Sequence, residues 1–229
     1  AAAVPDGVVC LHADSALLVL AKPSGLLCVP GRGPDKQDCL SARAQQQWPD
    51  ALVVHRLDMA TSGLVLMARS PDVQRLLGQA FAERTVEKRY QATVQGCMAL
   101  PTAPMAAPDT DSPWNGWGDI TLPISADWER RPLRVVDAQH GKPSHTRWRV
   151  LRTDTAAQTT RLELAPVTGR THQLRVHLAA VGHPILGDML YADAAVQARA
   201  PRLLLHATRL ALAHPLSGEW VQFALPPPF

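Results

Sequence analysis

"VVHRLDMATSGLVLMA", residues 53–68, decides how the chain is read. Two apolar, β-favouring runs, Val53-Val54 and Leu64-Val65-Leu66-Met67, flank a polar loop. That loop carries a cation, Arg56, and a carboxylate, Asp58. A join between core strands rarely needs such charges. As a structural group, Asp58 can cap the turn at "MATSG" by accepting from the Thr61 or Ser62 amide. A triad of Ser62, a histidine and Asp58 is disfavoured, because Thr61 stands where a nucleophile elbow needs glycine. A metal site through His55 and Asp58 lacks a third spaced ligand.

Outward from this stretch, "ALLVLAKPSGLLCVPG" (16–31) reads as a strand, a Pro-Ser-Gly turn and a second short strand. "DKQDCLSARAQQQW" reads as a short helix. Downstream, Ser70 is an N-cap and Pro71 a first-turn proline. Val73, Leu76, Leu77, Ala80 and Phe81 then fall on one helix face. In "VEKRYQATVQG" the residues Val86, Lys88, Tyr90, Ala92 and Val94 share one strand face. Residues 97–118 are rich in Pro, Ala, Asp and Gly without a period and predict an exposed insertion. "DITLPI", "LRVVD", "PSHTRWRVLR" and "TTRLELAP" predict strands. "GRTHQLRVHLAAVGHP" predicts a helix with Thr171 as N-cap, a stripe of Leu174, Leu178 and Val181, and an end at Gly182 and Pro184. "ATRLALAH", "PLSG" and "EWVQFAL" predict a terminal hairpin. Strands outnumber helices without βαβ alternation, so the class is α+β on a mixed, mostly antiparallel sheet.

Composition narrows the function. The 229 residues are 46% hydrophobic and 19% charged, enough for a packed core and too little charge for disorder. Net charge is +3. The run 130–152 and its flank hold seven Lys/Arg (130, 131, 134, 142, 147, 149, 152) against three acids (127, 129, 137). That run is either a solvated face or a track for a phosphate backbone. Cysteines 10, 28, 39 and 97 have neither CxxC nor metal-ligand spacing, so reduced thiols in a cytoplasm are expected, and no zinc. No apolar run approaches the roughly 18 residues of a membrane span. "AAAVPDGVV" lacks the basic start of a signal peptide.

Two further constellations stand out. In "TGRTHQLRVH", Arg170 directly precedes a helix start, where its fork can meet a carboxylate arriving from elsewhere. His172 and His177 are about 140° apart around a helix, unsuited to sharing one metal. Tyr90, on an apolar strand face, is either a core residue or a phenol that stacks on a nucleobase.

"KPSGLLCVPG", "HRLDMATSGLVLMA", "KRYQATVQG", "GRTHQLRVHLAAVGHPILGDMLY" and "RLLLHATRLAL", in this order along the chain, resemble the motifs of the RluA-type pseudouridine synthases. The likeness runs from about Leu18 to the end and is nearest to small members acting on both a transfer RNA anticodon stem-loop and a ribosomal RNA stem-loop. It implies one catalytic domain over 15–229 after an extension of 1–14, with no separate N-terminal RNA-binding domain. It implies isomerisation of uridine to pseudouridine in structured RNA, without metal or organic cofactor, and a monomer is expected. Asp58 matches the nucleophile. Arg170 matches the partner that keeps it charged. Tyr90 matches the residue that stacks on the uracil and acts as general base. Arg56 matches the residue that enters the RNA stack when the uridine flips out, and Leu174 is expected beneath the ring. Lys22 and the basic run are expected on phosphates, and His55 is counted with the RNA-binding residues.

Overall fold

The computed structural model describes residues 3–4, 8–99 and 113–229. In chain order come β1 (Ala3–Val4), β2 (Val8–Ala13), β3 (Leu17–Lys22), α1 (Leu40–Gln47), β4 (Leu52–Val53), β5 (Ser62–Ala68), α2 (Pro71–Ala82) and β6 (Glu87–Gln95). Then follow β7 (Gly118–Ile120), β8 (Ile124–Ala126), β9 (Arg134–Val136), β10 (Thr146–Asp154) and β11 (Thr159–Pro166). The last elements are α3 (Gln173–Ala180), α4 (Ala194–Gln197), β12 (Leu205–Ala213) and β13 (Trp220–Ala224). Two compact units form, Ala1–Arg89 with Leu205–Phe229, and Tyr90–Leu204.

In the first unit the strand order is β1-β2-β3-β5-β12, with β4 beside β5 and β13 beside β12. β5 and β12 run parallel, and the other pairs are antiparallel. This is the mixed, mostly antiparallel sheet expected. Every residue of β5 is buried, which explains its unbroken apolar run instead of an alternating one. Much of the expected 1–14 extension is sheet, since β2 pairs with β3. α2 begins as predicted, with the Ser70 hydroxyl accepting from Val73 N at 3.2 Å. Val73 and Leu77 are buried in a cluster with Leu17, Leu64, Leu66, Leu210 and Leu212. Leu76, expected on the same face, is exposed. At 100° per residue it sits about 60° behind Val73, on the far edge of the stripe.

In the second unit β6, β11, β10 and β7 lie side by side, all antiparallel, and β8–β9 is a separate hairpin. "DITLPI" is not one strand. Ile120 closes β7 and Ile124 opens β8, with Pro123, which lacks an N–H, between them. α3 starts one residue later than predicted: His172, not Thr171, is the N-cap, in left-handed backbone at φ 57°. Leu174 and Leu178 are buried but Val181 is exposed. Gly182 ends the helix at φ +83°, and His183 N donates to Leu178 O at 2.9 Å. Of the 97–118 insertion, residues 100–112 lie outside the described residues. Its described flanks are tied down: Met98 N donates to Thr160 Oγ1 at 2.9 Å, and Gly118 belongs to β7.

Gly63 is required where the two sheet neighbours of β5 meet. It has φ +119° and pairs with Ala207, and a Cβ there would lie 2.5 Å from Ala207 N. Gly63→Ala is expected to cost more than about 2 kcal/mol in a denaturant melt. Wild-type stability would show that the β5–β12 contact is looser than described.

Candidate active site

In the first unit, the loop between β4 and β5 holds Asp58 half-buried, with Arg56 and Met59 exposed on either side. Leu57 points inward and is buried, and its N–H donates to the Cys28 thiol at 3.2 Å. The loop is stitched to the Pro-Ser-Gly turn by its main chain. Met59 O accepts from Gly25 N at 2.8 Å and from the Lys22 ammonium at 3.0 Å. Ala60 O accepts from the Ser24 hydroxyl at 2.6 Å. The Thr61 amide donates to the main-chain carbonyl of Asp58 at 3.1 Å. Ser62 does meet a histidine, His206 Nδ1 at 2.7 Å. Both are buried strand residues paired across the β5–β12 ladder, so Ser62 is no accessible nucleophile.

Lys22 corrects the expectation of a phosphate contact. It is 2% exposed, and its ammonium donates to Pro23 O (2.8 Å), Leu26 O (2.7 Å) and Met59 O (3.0 Å). Three donors meet three carbonyls. Nearby, burial pushes the Cys28 thiol up, the Leu57 amide and the Lys22 charge pull it down, and the Asp58 charge raises it. The thiol thus sits in the fields of both Lys22 and Asp58. His55 is likewise committed to protein. Its Nε2 accepts from Leu66 N at 2.9 Å, and its ring stacks on Phe81 at 4.6 Å. Burial, then the Lys88 charge, hold His55 down to about 3, so it is a neutral acceptor.

The second unit carries Tyr90, Arg170 and Leu174. Tyr90 is half-buried on β6 opposite Leu164 of β11, and Leu174 is buried on α3. Arg170 is exposed in the turn before α3, its Nε donating to Pro143 O at 3.4 Å. Gln173 fixes that turn. Its Oε1 accepts from Arg170 N (3.0 Å) and the Thr168 hydroxyl (2.6 Å), while its Nε2 donates to His145 O (2.9 Å) and Thr146 Oγ1 (3.0 Å). His172 Nδ1 meets the Tyr191 hydroxyl at 2.6 Å, and His177 lies between Thr146 and Leu122 O. Arg175 and Asp188 form a buried bidentate pair, 2.9 and 2.6 Å. Sequence reasoning passed over Gln173, Tyr191 and Asp188. The available signal for Gln173 was its place among the polar residues interleaved with the apolar stripe of "GRTHQLRVH", while Asp188 and Tyr191 stand in "ILGDMLY". The basic run is partly neutralised, with Arg130 on Asp127, Arg147 on Asp119 and Arg149 on Glu163. Among the described residues no group of three His, Cys, Asp or Glu is placed to hold a metal.

The fold and the HRLD-type loop define a class, and the chain belongs to it: the family described as RNA pseudouridylate synthase matches residues 16–180. It is accordingly an isomerase of RNA uridines. The chain is 42% identical over 219 residues to the "Dual-specificity RNA pseudouridine synthase RluA" of Pasteurella multocida (strain Pm70), covering 96% of this chain and 93% of that protein. To the protein of the same name in Escherichia coli (strain K12) it is 42% identical over 222 residues, 97% and 94% of the two chains. Among solved structures, "Human RNA Pseudouridylate Synthase Domain Containing 1" superposes with a TM-score of 0.76 at 28% identity, over 100% of this chain and 86% of that one.

Two outcomes follow from the first unit. Lys22→Met leaves three carbonyls without their donor and is expected to lower stability by about 3 kcal/mol. It should not change the salt slope of RNA binding, which would fall by roughly 0.7–0.9 if Lys22 touched a phosphate. The second concerns pH. Unfolded, His55 binds a proton near 6.5; folded, only near 3. The unfolded state therefore holds more protons between these values, and stability falls as pH drops from 6.5 towards 3. At Asp14, burial raises and bonds from His12, Leu17 and Ala16 lower the pKa, to about 2 from 3.8, so its loss begins only below 3.8. In urea melts at pH 7 and 4.5, His55→Gln should show a shallower fall than wild type; equal falls would remove His55 from the acid response.

Proposed function

We propose that this chain converts loop uridines of transfer RNA and ribosomal RNA stem-loops to pseudouridine, with Asp58 as nucleophile, working as a monomer in a reducing cytoplasm. The 42% identity to two dual-specificity relatives over 96% and 97% of the chain carries this reading. The bottom-up support is a half-buried carboxylate on a loop whose main chain is bonded to a neighbouring turn and a buried lysine.

The reaction breaks the N1–C1′ bond, turns the uracil while it is held, and joins C5 to C1′, after which the C5 proton leaves and N1 takes up a proton. A carboxylate suits it, because it can bond reversibly to sugar or base, or stabilise positive charge at C1′. Arg170 is the cation assigned to partner the Asp58 carboxylate, as a guanidinium fork suits a carboxylate. Lys22 adds positive charge from beneath the loop. Tyr90 stacks on the uracil and takes the proton, and Leu174 supports the ring. Arg56, exposed two residues before Asp58, fills the space left by the extruded base. Extrusion costs a few kcal/mol, less from a loop than from a duplex, which favours loop uridines.

Asp58→Asn is nearly isosteric and should abolish tritium release from RNA labelled at uracil C5, while RNA affinity stays within a few fold. Retained release would refute the nucleophile. Tyr90→Phe keeps the stacking ring and drops the hydroxyl, so a large loss of turnover assigns the proton step to that hydroxyl and full turnover removes it. Site-resolved pseudouridine mapping of RNA from cells with and without the protein identifies the uridines.

A further inference from the structure

The β8–β9 hairpin of the second unit has an unusual tip. Trp128 is 72% exposed, the highest value for a large apolar side chain among the described residues. The Arg131 guanidinium lies 4.1 Å from its ring centroid. The tip is folded around Asp127. Its carboxylate accepts from Arg130 N at 3.0 Å and from Arg130 Nε at 2.8 Å, and Asp127 N donates to Leu133 O at 3.1 Å. Asp127 is thus occupied by Arg130, and among the described residues no carboxylate pairs with Arg131. The root is equally defined. Arg134 N donates to the Tyr191 hydroxyl at 3.0 Å, and that hydroxyl also meets His172, two residues after Arg170. β9 packs on α3.

We infer that this hairpin is an RNA-stacking arm: an unpaired base of the substrate loop lies against Trp128, and Arg131 meets the adjoining phosphate. This rests on the proposed RNA substrate. A nucleobase offers a flat face that an indole accepts regardless of sequence, and a guanidinium stacked beside it supplies the charge for the backbone. A protein partner fits less well. A protein interface needs a broad apolar patch, and the neighbours of Trp128 here are Glu129, Arg130 and Arg131. The arm contributes affinity and register, while its root shares Tyr191 and His172 with the turn that carries Arg170.

Trp128 is exposed, so its replacement leaves the fold intact. The test is titration of fluorescein-labelled RNA, one probe a stem-loop and the other a fully paired duplex of equal length. Trp128→Ala should weaken stem-loop binding about five- to a hundredfold, with duplex binding changed less than twofold. Trp128→Phe should restore stem-loop affinity to within about threefold. Equal stem-loop affinity for wild type and Trp128→Ala overturns the arm, as does an equal loss on loop and duplex. A shift in sedimentation with unchanged RNA affinity overturns it in favour of a protein contact. The same samples separate this proposal from the function it rests on. Weakened loop binding without C5 tritium release by wild type keeps the arm and sinks the isomerase assignment on that RNA. Tritium release with undiminished binding by Trp128→Ala does the reverse.

Discussion

The ammonium of Lys22, buried at the end of β3, is the interaction on which the loop carrying Asp58 depends. Removing a charge from water costs several kcal/mol, and a neutral residue of similar shape would avoid that penalty. What offsets it here is geometric. Three carbonyls converge on the ammonium, two from the Pro-Ser-Gly segment and one from Met59, the residue after Asp58. The same Met59 carbonyl takes the Gly25 amide, so one oxygen joins strand end, turn and loop. A loop pinned by such bonds holds its side chains in place before any partner arrives.

The sheet explains why the loop opens where it does. Lys22 pairs with Gly63 across the β3–β5 ladder, and Gly63 pairs with Ala207 across β5–β12. Three strands meet at one row directly beyond the loop. The row closes only because Gly63 lacks a side chain, and beside it Ser62 and His206 satisfy each other in the interior. A loop braced by a fully buried strand is a general arrangement, in which the scaffold supplies precision and the loop supplies access.

What could be read from the sequence divides along physical lines. α2, with its Ser70 cap and first-turn Pro71, was legible because capping is local. The terminal hairpin and the face of β6 were legible because period-two alternation is local too. The start of α3 was not: Thr171 is the better cap by residue type, yet Gln173 holds the preceding turn through bonds to Thr168 and His145, and His172 takes the left-handed position. "DITLPI" failed as a strand because a proline and the change from β7 to the β8–β9 hairpin fall inside one apolar run. At the site, it was the likeness of "HRLD" to the family motif that singled out Asp58, but whether Lys22 faced solvent or carbonyls depended on where Leu26 and Met59 lie, and chain order does not encode that. Composition alone assigned it outward, as most lysines are.

The basic run carries the last step. Seven cations in a short stretch look like a phosphate track, yet Arg130, Arg147 and Arg149 each have a carboxylate, and Arg147 and Arg149 lie over Trp114 and Trp117. Exposed pairs of this kind add little stability, typically 0.2–1 kcal/mol. Their effect is on binding: each neutralised cation is one fewer counterion-releasing contact, so nonspecific affinity for any polyanion is held down. With net charge only +3, this chain does not hold RNA by charge alone. Selection then falls to shape and to bases that can leave their stack. That is a discriminating way to find a uridine, because a paired uridine resists extrusion.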